Sequence, residues 1–358
     1  MKTVAVLGDT FLSGNVYGIQ RYAYEILKQL DTIVKDIHIE IIVPEHFDVD
    51  CSFKNIKIVK FGKLKNLFLW RQICFPYYLI KYKRFGLDLT LGLSYLKTDV
   101  VCIHDCIYET YKDDFQTVKE KLKRLNYLIK VRHIVKHSTR LITVSEYSKK
   151  QLMQIYKIPS TKISVIGNAW QHYQDIIPDF KILDELGLKE GQEYFFTLGS
   201  GLPHKNLRWI VKAAMNNPKK IFVVTGNNKI SNYINEIGLN QLKNVIVTGY
   251  ISDQQVKALM MKARAFIHPS FCEGFGIPPL EALSTGCEIL ISNASCLPEI
   301  YEDSAKYFDP YDYNISITSI LNEKSNSCDK VLNKYSWNKS AMQLLELLKN
   351  EIACEYYL

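Results

Sequence analysis

The chain has 358 residues, 47% of them apolar and 23% charged, which suits two globular domains with their own cores and excludes a disordered or low-complexity protein. Nine cysteines without a repeated spacing fit reduced thiols better than a disulfide framework, and no apolar run is long enough to span a bilayer. The net charge of +8 is uneven: 27 basic residues stand against 16 acidic ones through His172, so an anionic partner is expected for the first half.

The start, MKTVAVLGDT, reads as a strand running into a glycine turn rather than a secretory signal, so a cytoplasmic location is expected and the sequon Asn293-Ala294-Ser295 is expected to go unused. Strands are expected at Thr3 to Gly8, Ile37 to Pro44, Asn55 to Phe61, Leu87 to Leu93, Val100 to His104, Arg140 to Ser145 and Ile163 to Ile166. Between them helical patterns run over Gly18 to Leu30, Phe115 to His137 and Glu146 to Tyr156. A polar break with Pro178 follows, and the alternation restarts with strands at Tyr194 to Leu198, Ile221 to Thr225 and Val245 to Thr248 and a helix at Asn206 to Met215. Two β/α series imply two Rossmann-like domains with a cleft between them, over residues 1–173 and 174–335, followed by an amphipathic helix over 336–358.

Arg264 to Asn293, ARAFIHPSFCEGFGIPPLEALSTGCEILISN, reads as strand, turn, helix, strand. Proline is tolerated in the first helical turn, and Gly286 suits the position after the helix. Gly274 and Gly276 leave the backbone N–H groups beside Glu273 bare at a helix N-terminus, where an anion is favoured, with Phe275 and Ile277 as further donor-binding candidates. Glu273 and Glu281 add two acceptors for sugar hydroxyls. A sugar nucleotide needs that combination, although the Glu-x7-Glu spacing alone would equally describe a helix start with an incidental acid.

Other turns carry related chemistry. Gly8-Asp9-Thr10 through Gly14 to Gly18 is a glycine turn opening a helix, though not GxGxxG. Gly199-Ser200-Gly201-Leu202-Pro203-His204-Lys205 puts a lysine at another glycine turn, a phosphate site by charge and amides. Gly226, with Thr225 and Asn227, and Tyr250, after Thr248-Gly249, end strands where a nucleotide base would lie. His104 and Asp105 end a strand at the edge where open α/β sheets bind ligands; a structural histidine is the alternative, and Cys102, His104, Asp105 and Cys106 match no usual zinc spacing. Ser145 reads as a helix cap, with Ser148 and Lys149 in the first turn. Asp48-Val49-Asp50 lies out of context for a metal-binding DxD, so no metal is expected.

Lys63 to Arg84 interleaves aromatics and cations. It reads either as a core helix with solvated lysines or as a surface touching anionic headgroups through Trp70, Phe75, Tyr77 and Tyr78, with Lys119 to His137 adding charge. No nucleic-acid recognition motif accompanies the basic residues.

The phrases EGFGIPPLEAL and GSGLPHKNL, with GIQRYAYEILKQL, the His104-Asp105 pair, VSEYSK and Leu297-Pro298-Glu299, resemble the retaining GT-B glycosyltransferases of glycosyltransferase family 4. The resemblance runs from about Gly18 to Trp337. It implies a hexosyltransferase using a UDP-, GDP- or dTDP-linked sugar with no other cofactor, and a glycan or lipid-linked acceptor in bacterial surface-polysaccharide assembly. By resemblance Glu281 holds the ribose, Lys205 and the Gly274–Phe275 amides the diphosphate, Gly18 lies near the phosphate, and Glu273 and His104 approach the sugar. Asp105, Glu109 and Tyr111 are acceptor-side candidates, and the C-terminal helix is expected to cross back to the first domain. Many family members carry an arginine where this chain has Ser200, which keeps a catalytically silent scaffold subunit open as an alternative. A sugar-nucleotide 2-epimerase shares the fold, but the two donor phrases argue against it.

Overall fold

The structure is a computed structural model that describes residues 3–9, 18–49, 51–92, 98–226, 231–322 and 327–354. The chain forms two compact units, one of Met1–Thr110, Phe115–Asn168 and Ser336–Leu358, the other of Tyr111–Asp114 and Ala169–Tyr335.

The first unit is built on seven parallel strands: β1 (Thr3–Leu7), β2 (His38–Val43), β3 (Lys57–Lys60), β4 (Phe85–Asp88), β5 (Val100–Cys102), β6 (Arg140–Thr143) and β7 (Ile163–Val165), in the order β3-β2-β1-β4-β5-β6-β7. The inner strands are near-continuous apolar runs because helices cover both faces. On the helix Ile19–Ile33, Tyr22, Ala23, Ile26, Leu27 and Leu30 recur at helical spacing and are buried. The C-terminal helix Trp337–Cys354 belongs to this unit: Trp337 meets Tyr22 edge-on, Ser340 donates to the Gly167 carbonyl (2.7 Å), and Arg140 pairs with Glu351. The strand expected at Leu87 to Leu93 instead spans Phe85–Asp88, because the Asp88 carboxylate accepts the Thr90 N–H at 2.9 Å and turns the chain.

Of the two readings of Lys63 to Arg84, the helix Leu67–Lys81 follows the core one for three of the four aromatics named for it. Trp70, Phe75 and Tyr78 pack on Leu7 and Ile42, with Trp70 Nε1 bonded to the Phe61 carbonyl (2.7 Å), so burial of their rings removes them from any surface; only Tyr77 of the four is exposed. The exposed apolar side chains here are Phe68, Leu69, Ile73 and Ile80.

The second unit holds six parallel strands: β8 (Tyr194–Leu198), β9 (Ile221–Thr225), β10 (Val245–Gly249), β11 (Ala265–His268), β12 (Ile289–Ser292) and β13 (Lys306–Phe308), in the order β10-β9-β8-β11-β12-β13. Phe195, Trp209, Ile210, Phe222, Ile267, Leu290 and Phe308 form its core. The chain winds outward from β8 to β10, then resumes on the other side at β11. The β8/β11 pair is therefore the point where winding reverses, and ligands of open α/β sheets bind at the carboxyl ends there. Residues 169–173 group with this unit rather than with the first, as Trp170 Nε1 donates to the Leu332 carbonyl and Gln171 Nε2 to that of Tyr335, each at 3.0 Å.

Candidate active site

Three side chains converge at the β8/β11 edge. His268 is the last residue of β11, and Glu273 follows in the loop that enters the helix Ile277–Ser284. Lys205 ends the short helical turn Pro203–Lys205 after β8. Lys205 Nζ lies 2.7 Å and His268 Nε2 2.8 Å from the same oxygen, Oε1 of Glu273, and Ser270 Oγ is 3.2 Å from His268 Nε2. Burial alone would raise the Glu273 carboxyl, but the lysine charge and the histidine hydrogen bond outweigh it and hold the group well below the usual carboxylate range.

The two loops are tied together by the Asn206 side chain and by a backbone hydrogen bond. Asn206, in the left-handed region at φ 53°, donates through Nδ2 to the Pro269 and Pro310 carbonyls, each at 3.0 Å, and Phe271 N–H donates to the His204 carbonyl at 2.8 Å. Asp114 accepts the His204 N–H (3.0 Å) and pairs with its Nδ1. Tyr111, expected on the acceptor side, groups with the second unit and stacks on Phe271. Ser295 Oγ accepts the Glu273 N–H at 3.0 Å.

Gly276 opens the helix at φ 83°, and a Cβ there would lie 2.7 Å from Leu297 Cδ2, so the turn requires glycine. Its carbonyl accepts the Tyr301 hydroxyl. Ile277 begins the helix, Pro278 and Pro279 occupy its first turn, and the Gly286 N–H closes the far end on Leu283 at 3.0 Å. Phe275 is buried, its ring edge-on to Tyr335. One helical turn along, Glu281 Oε1 lies 2.8 Å from His172 Nε2.

The other sequence candidates take different positions. The N–H groups of Gly199 and Gly226 bond the Thr225 and Gly249 carbonyls (2.5 and 3.1 Å), so these two amides continue the sheet's hydrogen bonding. Ser200 Oγ accepts the Leu202 N–H at 3.3 Å, and Tyr250 is exposed beyond β10. In the first unit Gly18, at φ 50°, opens the helix Ile19–Ile33, while Thr10 and Gly14 of its turn, like Asn227 and Asp50, lie outside the described residues. His104 is buried: its Nε2 meets the Leu89 carbonyl at 2.9 Å, its ring meets Tyr22 edge-on, and burial lowers its proton affinity. Ser148, capped by Ser145, donates to the His104 carbonyl (3.3 Å). Asp105 Oδ1 accepts the Ile107 N–H at 3.0 Å, and Glu109 turns to the Tyr156 hydroxyl.

Three residues of these contacts were not singled out from sequence: His172, His268 and Asp114; in the first unit, at the winding reversal between β1 and β4, Arg71 bonds Asp9 at 2.5 Å. For His268 a signal existed, since it stands at the end of the same strand that leads to Glu273.

Two Rossmann-like units of this topology are the GT-B fold, and sucrose-phosphate synthase from Thermosynechococcus elongatus shares it over 99% of this chain and 100% of its own, with a TM-score of 0.74 at 16% identity. Residues 179–351, which hold Lys205, His268, Glu273 and Glu281, match the family described as Glycosyl transferases group 1. The O-antigen chain mannosyltransferase RfbU of Salmonella typhimurium is 26% identical over 61% of this chain and 58% of its own. The O-antigen chain mannosyltransferase B of Escherichia coli is 29% identical over 55% of each chain. The chain thus spans little more than half the length of these curated relatives.

Proposed function

We propose that this chain is a retaining, metal-independent glycosyltransferase that moves a hexose from a nucleotide diphosphate sugar to a hydroxyl of a glycan or lipid-linked acceptor in O-antigen or related surface-polysaccharide assembly. The observation that supports it best is the meeting of Lys205, His268 and Glu273 at the winding reversal of the second sheet, beside a glycine-opened helix. In this reading Lys205 stabilises the departing diphosphate, lowering the barrier to cleavage of the bond from sugar C1 to phosphate oxygen. Glu273 orients the sugar and Glu281 the ribose. The departing phosphate helps take the acceptor proton on the same face.

The reading extends to a membrane surface at the inner leaflet. No helix among the described residues is long and apolar enough to cross a bilayer. On the helix Val118–His137, however, Val118, Leu122, Leu125 and Ile129 form an exposed stripe at helical spacing, while Val131, Ile134 and Val135 face the core. Lys130 Nζ lies 4.2 Å from the Phe68 ring centroid, bringing the exposed residues of Leu67–Lys81 alongside. Residues 63–84 and 118–137 carry thirteen Lys or Arg and one acidic residue, a composition suited to anionic headgroups.

A thermal-shift screen with UDP, GDP, dTDP and ADP tests the donor site, since a ligand of the folded state raises its stability by mass action. One nucleotide should stabilise the wild type and lose its effect in Glu281→Ala. No shift with any of them overturns the transferase reading and favours a silent scaffold.

A further inference from the structure

We infer that His268 is a positioning residue that takes over the Glu273 carboxylate, and takes up a proton, when donor diphosphate draws Lys205 away. The inference rests on the donor-site reading above and concerns how that site changes on binding.

The geometry sets up the exchange. Lys205 Nζ and His268 Nε2 both address Oε1 of Glu273, at 2.7 and 2.8 Å, while the carboxylate is buried and the lysine side chain is 29% exposed. Lysine is a flexible point charge, able to swing from a carboxylate to a phosphate; the histidine, on the last residue of a central strand, is fixed. With Lys205 in place, Glu273 has a full positive charge beside it, and the His268 imidazole completes its partners. Once the lysine turns to the diphosphate, the buried carboxylate would lose the charge beside it, which is costly, and a proton on His268 would restore the balance. The incoming anion acts in the same direction.

Among the described residues, the other groups coupled to Glu273 are not placed to supply that charge. Cys296 and Tyr301, whose electrostatics couple to Glu273, are both pushed upward by burial and stay neutral, and Glu281 is a further acid paired with His172. Ser270, on the same imidazole nitrogen, does not titrate in this range. Lys205 therefore serves two anions in turn, and His268 is what allows Glu273 to remain ionised and aimed at the sugar while the lysine is elsewhere.

The test is calorimetric binding at pH 7 of GDP-mannose, UDP-glucose and UDP-galactose, whose diphosphates carry no proton that titrates near neutrality, in buffers of differing ionisation enthalpy. The wild type should take up a proton, up to one per ligand bound. His268→Gln, which keeps an N–H near the Nε2 position but cannot be protonated, should bind without buffer dependence. So should Lys205→Gln, with weaker affinity, because there His268 already carries the Glu273 charge before the ligand arrives. Binding by the wild type with no proton uptake overturns the inference and leaves the donor site standing, whether or not either variant folds. Uptake that persists in folded His268→Gln overturns it too. Failure of all three ligands to bind removes the donor reading itself, and this inference with it.

Discussion

His172 Nε2 lies 2.8 Å from Glu281 Oε1, across 109 positions of sequence, and its side chain is almost wholly buried. The ribose-holding role proposed for Glu281 needs a carboxylate of fixed direction, and the buried imidazole bonded to Oε1 supplies that restraint. His172→Ala should raise the donor KM by about tenfold with kcat little changed, the pattern of a lost contact made equally in the ground and transition states. Steady-state kinetics at varied donor concentration check this; an equal fall in kcat would assign His172 to the chemical step instead.

Glu273 couples the site to acid stability. Its carboxyl is held below the ordinary 4.5 in the fold, so its contribution is complete above that value and fades as pH falls toward the folded-state value. Glu273→Gln should cost about 3 kcal/mol at neutral pH, the low end for breaking a buried pair because Lys205 reaches solvent. Urea unfolding of both proteins from pH 7 down to pH 3 should show the gap constant at first and narrowing below about pH 4.5.

Gly276→Ala places a Cβ on a residue at φ 83° and 2.7 Å from Leu297 Cδ2. Leu297 can yield, but the backbone cannot, so a loss of about 1–3 kcal/mol is expected. Thermal melts measure it, and because the same turn carries Glu273, nucleotide-induced stabilisation should fall with it.

Ser200 stands where many members of the family that the sequence resembles carry an arginine. Ser200→Arg adds a second cation at the turn before Lys205 and should raise the transfer rate by about tenfold, the direction expected when a leaving diphosphate gains a partner. A rate unchanged or lowered would mean that the present turn directs its groups elsewhere.

The stripe on Val118–His137 gives a prediction independent of catalysis. Val118, Leu122, Leu125 and Ile129 are 75, 61, 54 and 52% exposed. Changing Leu122, Leu125 and Ile129 together to Ser should abolish co-sedimentation with vesicles containing phosphatidylglycerol while leaving the melting temperature within a few degrees. Retained vesicle binding would move the contact to the basic residues alone, and a sharp drop in concentration-dependent mass would reveal a protein partner on that face.

Local order along the chain determined a great deal. Apolar runs of four to six residues alternating with helical periodicity are enough to set a parallel β/α architecture twice over, since a strand covered on both faces and a helix covered on one leave different marks. The Gly276-Ile277-Pro278-Pro279 entry and the Gly286 exit of one helix were readable for the same reason: both depend on a residue's own backbone freedom. Pairings across the fold were not. Lys205 and Glu273 are 68 positions apart, and which acid a lysine meets depends on β8 and β11 being neighbours, a consequence of the whole sheet's winding. Burial of Trp70, Phe75 and Tyr78 was equally hidden. The helix that carries them is apolar on more than one face, so periodicity alone does not say which face meets the sheet, and only the packing against Leu7 and Ile42 decided it.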